Sequence, residues 1–84
     1  MKYLKNDINS KEKRALVLLN LEEQTDEEDI SKSIENSTTE DLNRIASLLD
    51  LSLLTFKDLE TEEEFLTWMA NISEKILTLY ENKE

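Results

Sequence analysis

Apolar residues recur at spacings of three and four along most of this chain, which is the period of one face of an amphipathic α-helix. Ser10 or Asn9 can act as the N-cap of a first helix over residues 11–23. The apolar positions of that helix are Ala15, Leu16, Val17, Leu18, Leu19 and Leu21. So wide an apolar face predicts that the helix contacts neighbours on two sides.

A second, shorter helix is predicted over residues 26–36. Thr25 and Glu28 have the spacing of a capping box at its start. Ile30 and Ile34 lie four residues apart and form its only strong apolar pair. This helix therefore offers the narrowest face for burial.

The third helix has two alternative starts. Ser37 with Glu40, or Thr38 with Asp41, has the spacing of a side-chain cap, and the helical pattern continues to about residue 50. The apolar positions of the third helix are Leu42, Ile45, Ala46, Leu48 and Leu49. Their spacing predicts a helix with one buried face.

The fourth helix is predicted to begin at a capping box formed by Thr61 and Glu64. Its main apolar stripe then advances in steps of three and four through Phe65, Met69, Ile72, Ile76 and Leu79. Four further apolar residues broaden that face: Leu66, Trp68, Leu77 and Tyr80. The pattern predicts a helix that contributes much of the core.

These helices lead to a prediction of the fold class. No segment alternates between apolar and polar residues for long enough to predict a β-strand. The chain contains neither glycine nor proline, so the usual residues of tight β-hairpin turns are missing. Its 84 residues suffice for one domain only. We therefore expect an all-α protein, a compact single-domain bundle of four to five short helices over residues 1–84.

Residues 41–60, DLNRIASLLDLSLLTFKDLE, resemble the helix-turn-helix core of many bacterial regulators. Ala46, Asp50 and Phe56 stand where this family places a small contact residue, a turn residue and an apolar residue of the second helix. The resemblance implies a degenerate helix-turn-helix unit at residues 41–60. Asp50 replaces the usual turn glycine, and residues 52–61 offer only Lys57 as a basic contact. Sequence-specific DNA binding through this unit is therefore not expected.

Charge divides the chain into two parts. Residues 15–84 hold eighteen Asp or Glu against five Lys or Arg, whereas the first fourteen residues are net basic. The formal net charge of the whole chain is −10. Such a surface repels nucleic acid and attracts basic protein surfaces over about a Debye length. The same repulsion predicts marginal stability that improves with salt.

Two acidic clusters are the candidate partner-binding surface. The first acidic cluster comprises Glu22, Glu23, Asp26, Glu27, Glu28 and Asp29, and the second acidic cluster comprises Glu62, Glu63 and Glu64. Acids in the first turn of a helix are also explained by the helix dipole, and acidic side chains keep a small domain soluble. Residues 22–41 nevertheless hold nine acids and a single lysine, Lys32, which is more than helix starts need.

A partner-binding surface also needs apolar anchors, because binding hot spots are desolvated and commonly aromatic. The candidate anchors are Leu53, Leu54 and Trp68. Each has an alternative place in the core. Trp68 lies one step off the main stripe of the fourth helix, and the two leucines can close the bundle.

The residue types present argue against catalysis and bound metal. The chain has no histidine and no cysteine, so the commonest general base, metal ligand and thiol nucleophile are missing. Residues 25–36, TDEEDISKSIEN, lack the glycine and the ligand order of an EF-hand loop. We predict no catalytic residue, metal or cofactor. The longest apolar run, residues 15–19, is far too short for a membrane span, and the cytoplasm is the expected location.

Three binding functions fit these features. The first is a small acidic interaction module that binds a basic, nucleic-acid-binding protein and regulates it as a nucleic-acid mimic; small acidic inhibitors of phages and mobile elements are similar in size and composition. The second is a degenerate helix-turn-helix regulator that acts through protein contacts or as a homodimer. The third is an immunity- or antitoxin-like helical bundle that neutralises a toxin. Mimicry predicts one contiguous acidic face, whereas the second function predicts an exposed apolar patch at Leu53 and Leu54.

Overall fold

The computed structural model describes residues 1–52 and 62–82, in which four helices pack beside a three-stranded antiparallel sheet. In chain order the elements are β1 (Lys2–Leu4), α1 (Ser10–Leu18), β2 (Gln24–Thr25), α2 (Glu27–Glu35), α3 (Thr39–Leu48), α4 (Glu62–Thr78) and β3 (Tyr80–Asn82). The predicted N-cap Thr61, the candidate anchors Leu53 and Leu54, and Phe56 of the helix-turn-helix segment lie outside the described residues.

The prediction of an all-α fold is wrong, because the sheet makes the fold mixed α/β. The strand order is β2-β1-β3, and β1 pairs antiparallel with both neighbours. On one side of β1, Lys2 pairs with Thr25; on the other side, Leu4 pairs with Tyr80. β1 is therefore the central strand, flanked by β2 on one side and β3 on the other.

Strand length and connectivity explain why the sequence patterns missed the sheet. Each strand has only two or three residues, which is too short to show the alternation of a strand. The strands are also joined by helices, since α1 connects β1 to β2 and the rest of the chain separates β2 from β3. No described connection is a tight hairpin, so the lack of glycine and proline did not bear on these strands.

Side-chain caps fix the start of two helices, as the sequence predicts. Asn9 caps α1 in a capping box: its Oδ1 accepts a hydrogen bond from the Glu12 N–H at 2.8 Å, and Glu12 Oε1 accepts one from the Asn9 N–H at 2.9 Å. Thr38 Oγ1 caps α3 by accepting a hydrogen bond from the Asp41 N–H at 3.1 Å. Of the alternatives at each helix, the structure thus selects Asn9 and Thr38.

The start of α2 differs from the predicted capping box of Thr25 and Glu28. Asp26 is the N-cap residue and makes no side-chain cap hydrogen bond. Thr25 instead belongs to β2, where its side chain is buried. Thr25 pairs with Lys2 of β1, and this pairing places it in the sheet instead of at the N-cap of α2.

α1 and α3 end in the same closure, with a residue other than glycine in the left-handed conformation. The φ angles are 56° at Asn20 and 59° at Asp50. The N–H one residue later donates to the carbonyl five residues back, at 3.0 Å in α1 and 2.8 Å in α3. Both are Schellman closures, in which the left-handed residue usually is glycine. Asp50 therefore has the left-handed conformation of the turn glycine that it replaces in the helix-turn-helix resemblance, while residues 53–60, where that resemblance implies the second helix, lie outside the described residues.

The shared closure belongs to an internal sequence similarity. Residues 14–21 read RALVLLNL and residues 44–51 read RIASLLDL, so arginine, the leucine pair and the final leucine recur thirty positions apart. α1 and α3 also pack against each other. The same short helical unit thus occurs twice and forms one helix pair, while α2 and α4 form another.

The core collects most of the predicted apolar stripes. Its buried residues are Ala15, Leu16, Leu19, Ile30, Ile34, Leu42, Ile45, Ala46, Leu49, Trp68, Ile72, Ile76, Leu79 and Tyr80. Three leucine or valine positions that the sequence placed on broad apolar faces are exposed: Val17, Leu18 and Leu66. α1 ends at Leu18, five residues before its predicted end, because Asn20 reverses the chain toward β2.

Candidate functional site

The first acidic cluster surrounds the junction between β2 and α2. Glu22 and Glu23 precede β2, Asp26 is the N-cap of α2, and the other three acids occupy its first turn. All six residues are exposed. The dipole of α2 stabilises acidic residues at this position. This stabilisation offsets part of the repulsion between the neighbouring carboxylates.

Backbone contacts hold this cluster against the sheet. The Tyr80 hydroxyl donates a hydrogen bond to the Glu22 carbonyl oxygen at 2.6 Å, and the Leu4 N–H donates to the Glu23 carbonyl oxygen at 2.7 Å. Tyr80 is buried, and this burial raises the pKa of its hydroxyl above the usual 10.0. The main chain that carries Glu22 and Glu23 is thus fixed, while the carboxylates point to water.

The second acidic cluster lies in the first turn of α4, where Glu62, Glu63 and Glu64 are all exposed. α4 has 17 residues, which corresponds to a length of about 25 Å. Its far end leads into β3, and β3 belongs to the sheet that holds the first acidic cluster. The two clusters therefore lie near opposite ends of α4 and do not form one continuous patch.

A shallow groove between α2 and α4 occupies the space between the two clusters. The residues that line it are Ser31, Ile34, Glu35, Leu66, Met69, Ala70 and Ser73. Leu66 is 55% exposed, and Ile34 beneath it belongs to the core. The groove thus presents an apolar floor between the two helices whose first turns carry acidic residues of the clusters.

Ion pairs neutralise only part of the acidic surface. In the first acidic cluster, Lys32 Nζ lies 3.2 Å from Glu28 Oε1, and the terminal amine of Met1 lies 3.7 Å from Asp26 Oδ1. Within the described residues, no ion pair involves Glu27 or Asp29. Both recorded pairs are exposed, and such pairs contribute about 0–1 kcal/mol. The negative charge therefore remains available to a partner.

The candidate anchor Trp68 lies in the core. It is 8% exposed, and its indole N–H donates a hydrogen bond to the Ser52 carbonyl oxygen at 2.8 Å. Its ring centroid lies 6.1 Å from that of Phe65. These contacts place Trp68 in the core, which was the alternative to its role as a partner-binding anchor. A partner would have to open the core to reach it.

Leu66 is an exposed apolar residue that the sequence analysis did not identify as a candidate anchor. Its position one step after Phe65, off the main stripe of α4, was the sequence feature that could have indicated its exposure. The apolar width of α4 exceeds what the core can bury, because Trp68, Ile72 and Ile76 already fill the buried side. Leu66 is consequently left beside α2 with more than half of its surface in water.

Within residues 1–52 and 62–82, no group of three or more acidic side chains converges in a way that could hold a metal ion. Nor does any helix in this part of the chain have the length and apolar character needed to cross a bilayer.

Comparison of the chain with protein-family models, curated proteins and solved structures gave no match. Function is therefore inferred from the surface of this chain alone.

Proposed function

We propose that this protein is a small acidic interaction module that binds a basic surface of another protein and regulates that protein by occupying the surface. The observation that carries the proposal is the first acidic cluster, with six exposed acids on a backbone fixed by the sheet. A fixed backbone favours association, because a partner has to order only the acidic side chains and not the main chain that carries Glu22 and Glu23. A chain without cysteine gains nothing from an oxidising compartment, so we keep the cytoplasm as the proposed location.

Electrostatic steering supports binding to a basic partner. The net charge of −10 on 84 residues gives a long-range attraction that raises the association rate and falls steeply with ionic strength. The same field disfavours nucleic acid as a ligand. A basic protein that normally binds nucleic acid fits both conditions.

Nucleic-acid mimicry is the specific form of the proposal. The length of α4, about 25 Å, sets the scale of the separation between the two clusters. At about 3.4 Å per base pair, that separation corresponds to roughly seven base pairs of a duplex. This arrangement departs from the contiguous acidic face that mimicry predicts, so a mimic of this kind requires a partner groove that contacts two separate clusters, one near each end of α4.

A degenerate helix-turn-helix regulator is the second candidate. The left-handed conformation of Asp50 favours it, because the turn residue of that motif needs this conformation. Asn20 has the same conformation at the end of α1, however, where no such motif is expected. The conformation is thus a general way for this glycine-free chain to end a helix, and the acidic module is the better-supported function.

Two charge-reversal variants test the proposal against a matched control. The first combines Glu22→Lys, Glu23→Lys and Glu27→Lys in the first acidic cluster. The control combines Asp7→Lys, Glu74→Lys and Glu81→Lys, which are exposed acids outside both clusters. Each variant changes three charges from −1 to +1, so both shift the net charge from −10 by +6 to −4.

Capture of basic proteins from cell lysate at about 0.1 M and 0.5 M salt is the measurement, since the Debye length at the higher concentration falls to about 4 Å. We expect wild type and the control to capture the same basic protein at low salt and to release it at high salt. The cluster variant should lose capture. Equal capture by the two variants would show that net charge, and not the first acidic cluster, carries binding.

A further inference from the structure

We propose that the partner inserts a basic amphipathic helix into the groove between α2 and α4, with its apolar face on Leu66 and its cations on the acids at both ends. This inference rests on the proposed function and specifies the segment of the partner that is recognised. It also moves the apolar anchor from Trp68, which is buried, to Leu66, which is exposed.

The direction of the two helices places acids at both ends of the groove. α2 begins two residues after β2 and leads away from the sheet, whereas α4 ends two residues before β3 and returns to the sheet. The helices therefore run in opposite directions. The first turn of α2 lies at the sheet end of the groove, and the first turn of α4 lies at the other end.

Helical spacing puts these acids on the same faces as the groove. Glu27 and Glu28 precede the lining residue Ser31 by four and three positions. The second acidic cluster has the same relation to Leu66, since Glu62 and Glu63 precede it by four and three positions. Residues three and four apart share a helix face, so each helix presents acid and groove on one side.

The charge of the residues that line the groove favours a positively charged ligand. Among the described residues that line it, Glu35 is the one that carries a charge, and none is lysine or arginine. Lys32 on the same helix pairs with Glu28 at 3.2 Å. An apolar strip flanked by carboxylates is complementary to a helix with apolar residues along one stripe and cations beside it.

Length favours a partner helix over a second copy of this chain. The groove is lined by residues 31–35 of α2 and 66–73 of α4, and the acids beyond its two ends extend the complementary surface over most of the length of α4, about 25 Å, which a helix of about 17 residues spans. The basic helix that a second copy could offer is α1, which has nine residues and spans about 14 Å. α1 would reach only one of the two acidic ends.

Synthetic peptides provide the probe. The patterned peptide has 17 residues of lysine and leucine, with leucine at helical spacing, and the scrambled peptide has the same composition without that spacing. Binding of both peptides is measured by fluorescence anisotropy at about 0.15 M salt. We expect the wild-type protein to bind the patterned peptide at least about tenfold more tightly, because only this peptide can place its leucines and cations together.

The decisive variant is Leu66→Gln, with Val17→Gln as its matched control. Both residues are exposed apolar positions in helices, 55% and 71% exposed, so neither change removes a core residue. We expect Leu66→Gln to weaken the patterned peptide about fivefold to tenfold, in keeping with the loss of a partly buried leucine contact. Val17→Gln should leave the affinity unchanged. Circular dichroism of each variant confirms that the helices are retained.

The outcomes separate this inference from the proposed function. Equal affinity for the two peptides, or an affinity that Leu66→Gln leaves unchanged, would overturn docking in the groove. If the charge reversal of the first acidic cluster still abolishes capture in that case, the proposed function stands. Sedimentation of wild type alone tests the remaining occupant: a dimer that Leu66→Gln dissociates would assign the groove to a second copy and overturn the inference.

Discussion

Replacement of Asp50 by asparagine should stabilise the protein, and the two Schellman closures allow this effect to be separated from backbone strain. Asp50 and Asn20 have nearly the same φ, 59° and 56°, at the same position after a helix. Only Asp50 carries a negative charge, at the end of α3 where the helix dipole is also negative. The two sites thus differ in charge while sharing conformation.

The expected change in the free energy of unfolding follows from the charge of Asp50 at the end of α3. A charge of unfavourable sign at a helix end costs about 0.3–1 kcal/mol. Asp50→Asn should therefore stabilise by about that amount, which corresponds to a rise in Tm of roughly 1–8 °C for a domain of this size. Asn20→Asp should destabilise by a similar amount. Repulsion from the net charge of −10 acts in the same direction at both sites.

Glycine at each site measures the conformational contribution. An ordinary residue in the left-handed conformation costs about 1–2 kcal/mol, and Asn and Asp pay less than that. Glycine removes this cost but adds about 0.4–1 kcal/mol of backbone entropy to the unfolded chain. We therefore expect Asn20→Gly to be within about 0.5 kcal/mol of neutral. Asp50→Gly should be more favourable than Asn20→Gly by the value measured for Asp50→Asn.

Thermal and urea unfolding followed by circular dichroism provide the free energies, at about 0.05 M and 0.5 M NaCl. The gain from Asp50→Asn should shrink at the higher salt concentration, because the Debye length falls to about 4 Å. A gain that is absent, or that does not depend on salt, would refute the electrostatic explanation. Equal effects of glycine at the two sites would do the same.

Three further predictions concern the frame around the site. Tyr80→Phe should cost about 1 kcal/mol by removing the hydrogen bond to the Glu22 carbonyl. Burial raises the pKa of Tyr80 in the folded protein, so the hydroxyl ionises at lower pH in the unfolded chain. The free energy of unfolding of the wild type should therefore fall as the pH rises above 10.0. In unfolding titrations between pH 9 and 11, Tyr80→Phe should lack the part of this decrease that Tyr80 causes. Asn9→Ala should cost about 1 kcal/mol, and Glu12→Gln, which keeps a capping side chain, should cost less. The urea midpoint of the wild type should rise between about 0.05 M and 0.5 M NaCl, and a midpoint that stays constant would contradict self-repulsion as a cause of marginal stability.

Local signals in the sequence located the four helices but not all of their ends. The stripe of α3 and the caps Asn9 and Thr38 agree with the structure, because each depends on residues three or four positions apart. The stripe of α4 agrees in part: Ile72 and Ile76 are buried, whereas Phe65 and Met69 are only partly buried. Both left-handed closures were harder to foresee, since Asn20 and Asp50 are not the expected glycine. Asp50 was identified only through the helix-turn-helix spacing.

Non-local contacts limited the rest of the prediction. The sheet joins residues 2–4 to residues 80–82, and no local pattern records such a pairing. The exposure of the nine candidate acids follows from their charge, whereas their division between two ends of α4 depends on the sheet. The groove at Leu66 depends on how α2 packs against α4, which spacing within either helix does not determine.

The basic residues of α1 lie on a different helix pair from the groove. Among the described ion pairs, none involves Lys11, Lys13 or Arg14, although all three are exposed on α1. α1 packs against α3, whereas the groove lies between α2 and α4, so these cations belong to the other helix pair. The proposed basic partner helix would therefore be attracted to the groove and repelled from α1. Specificity often requires such a repulsive element, because attraction to the correct face alone leaves the wrong face available. Substitution of the three cations by glutamine should therefore leave the affinity of the patterned peptide for the groove intact but add weaker binding elsewhere, visible as a peptide stoichiometry above one in calorimetry. A stoichiometry that stays at one would show that α1 does not exclude the peptide.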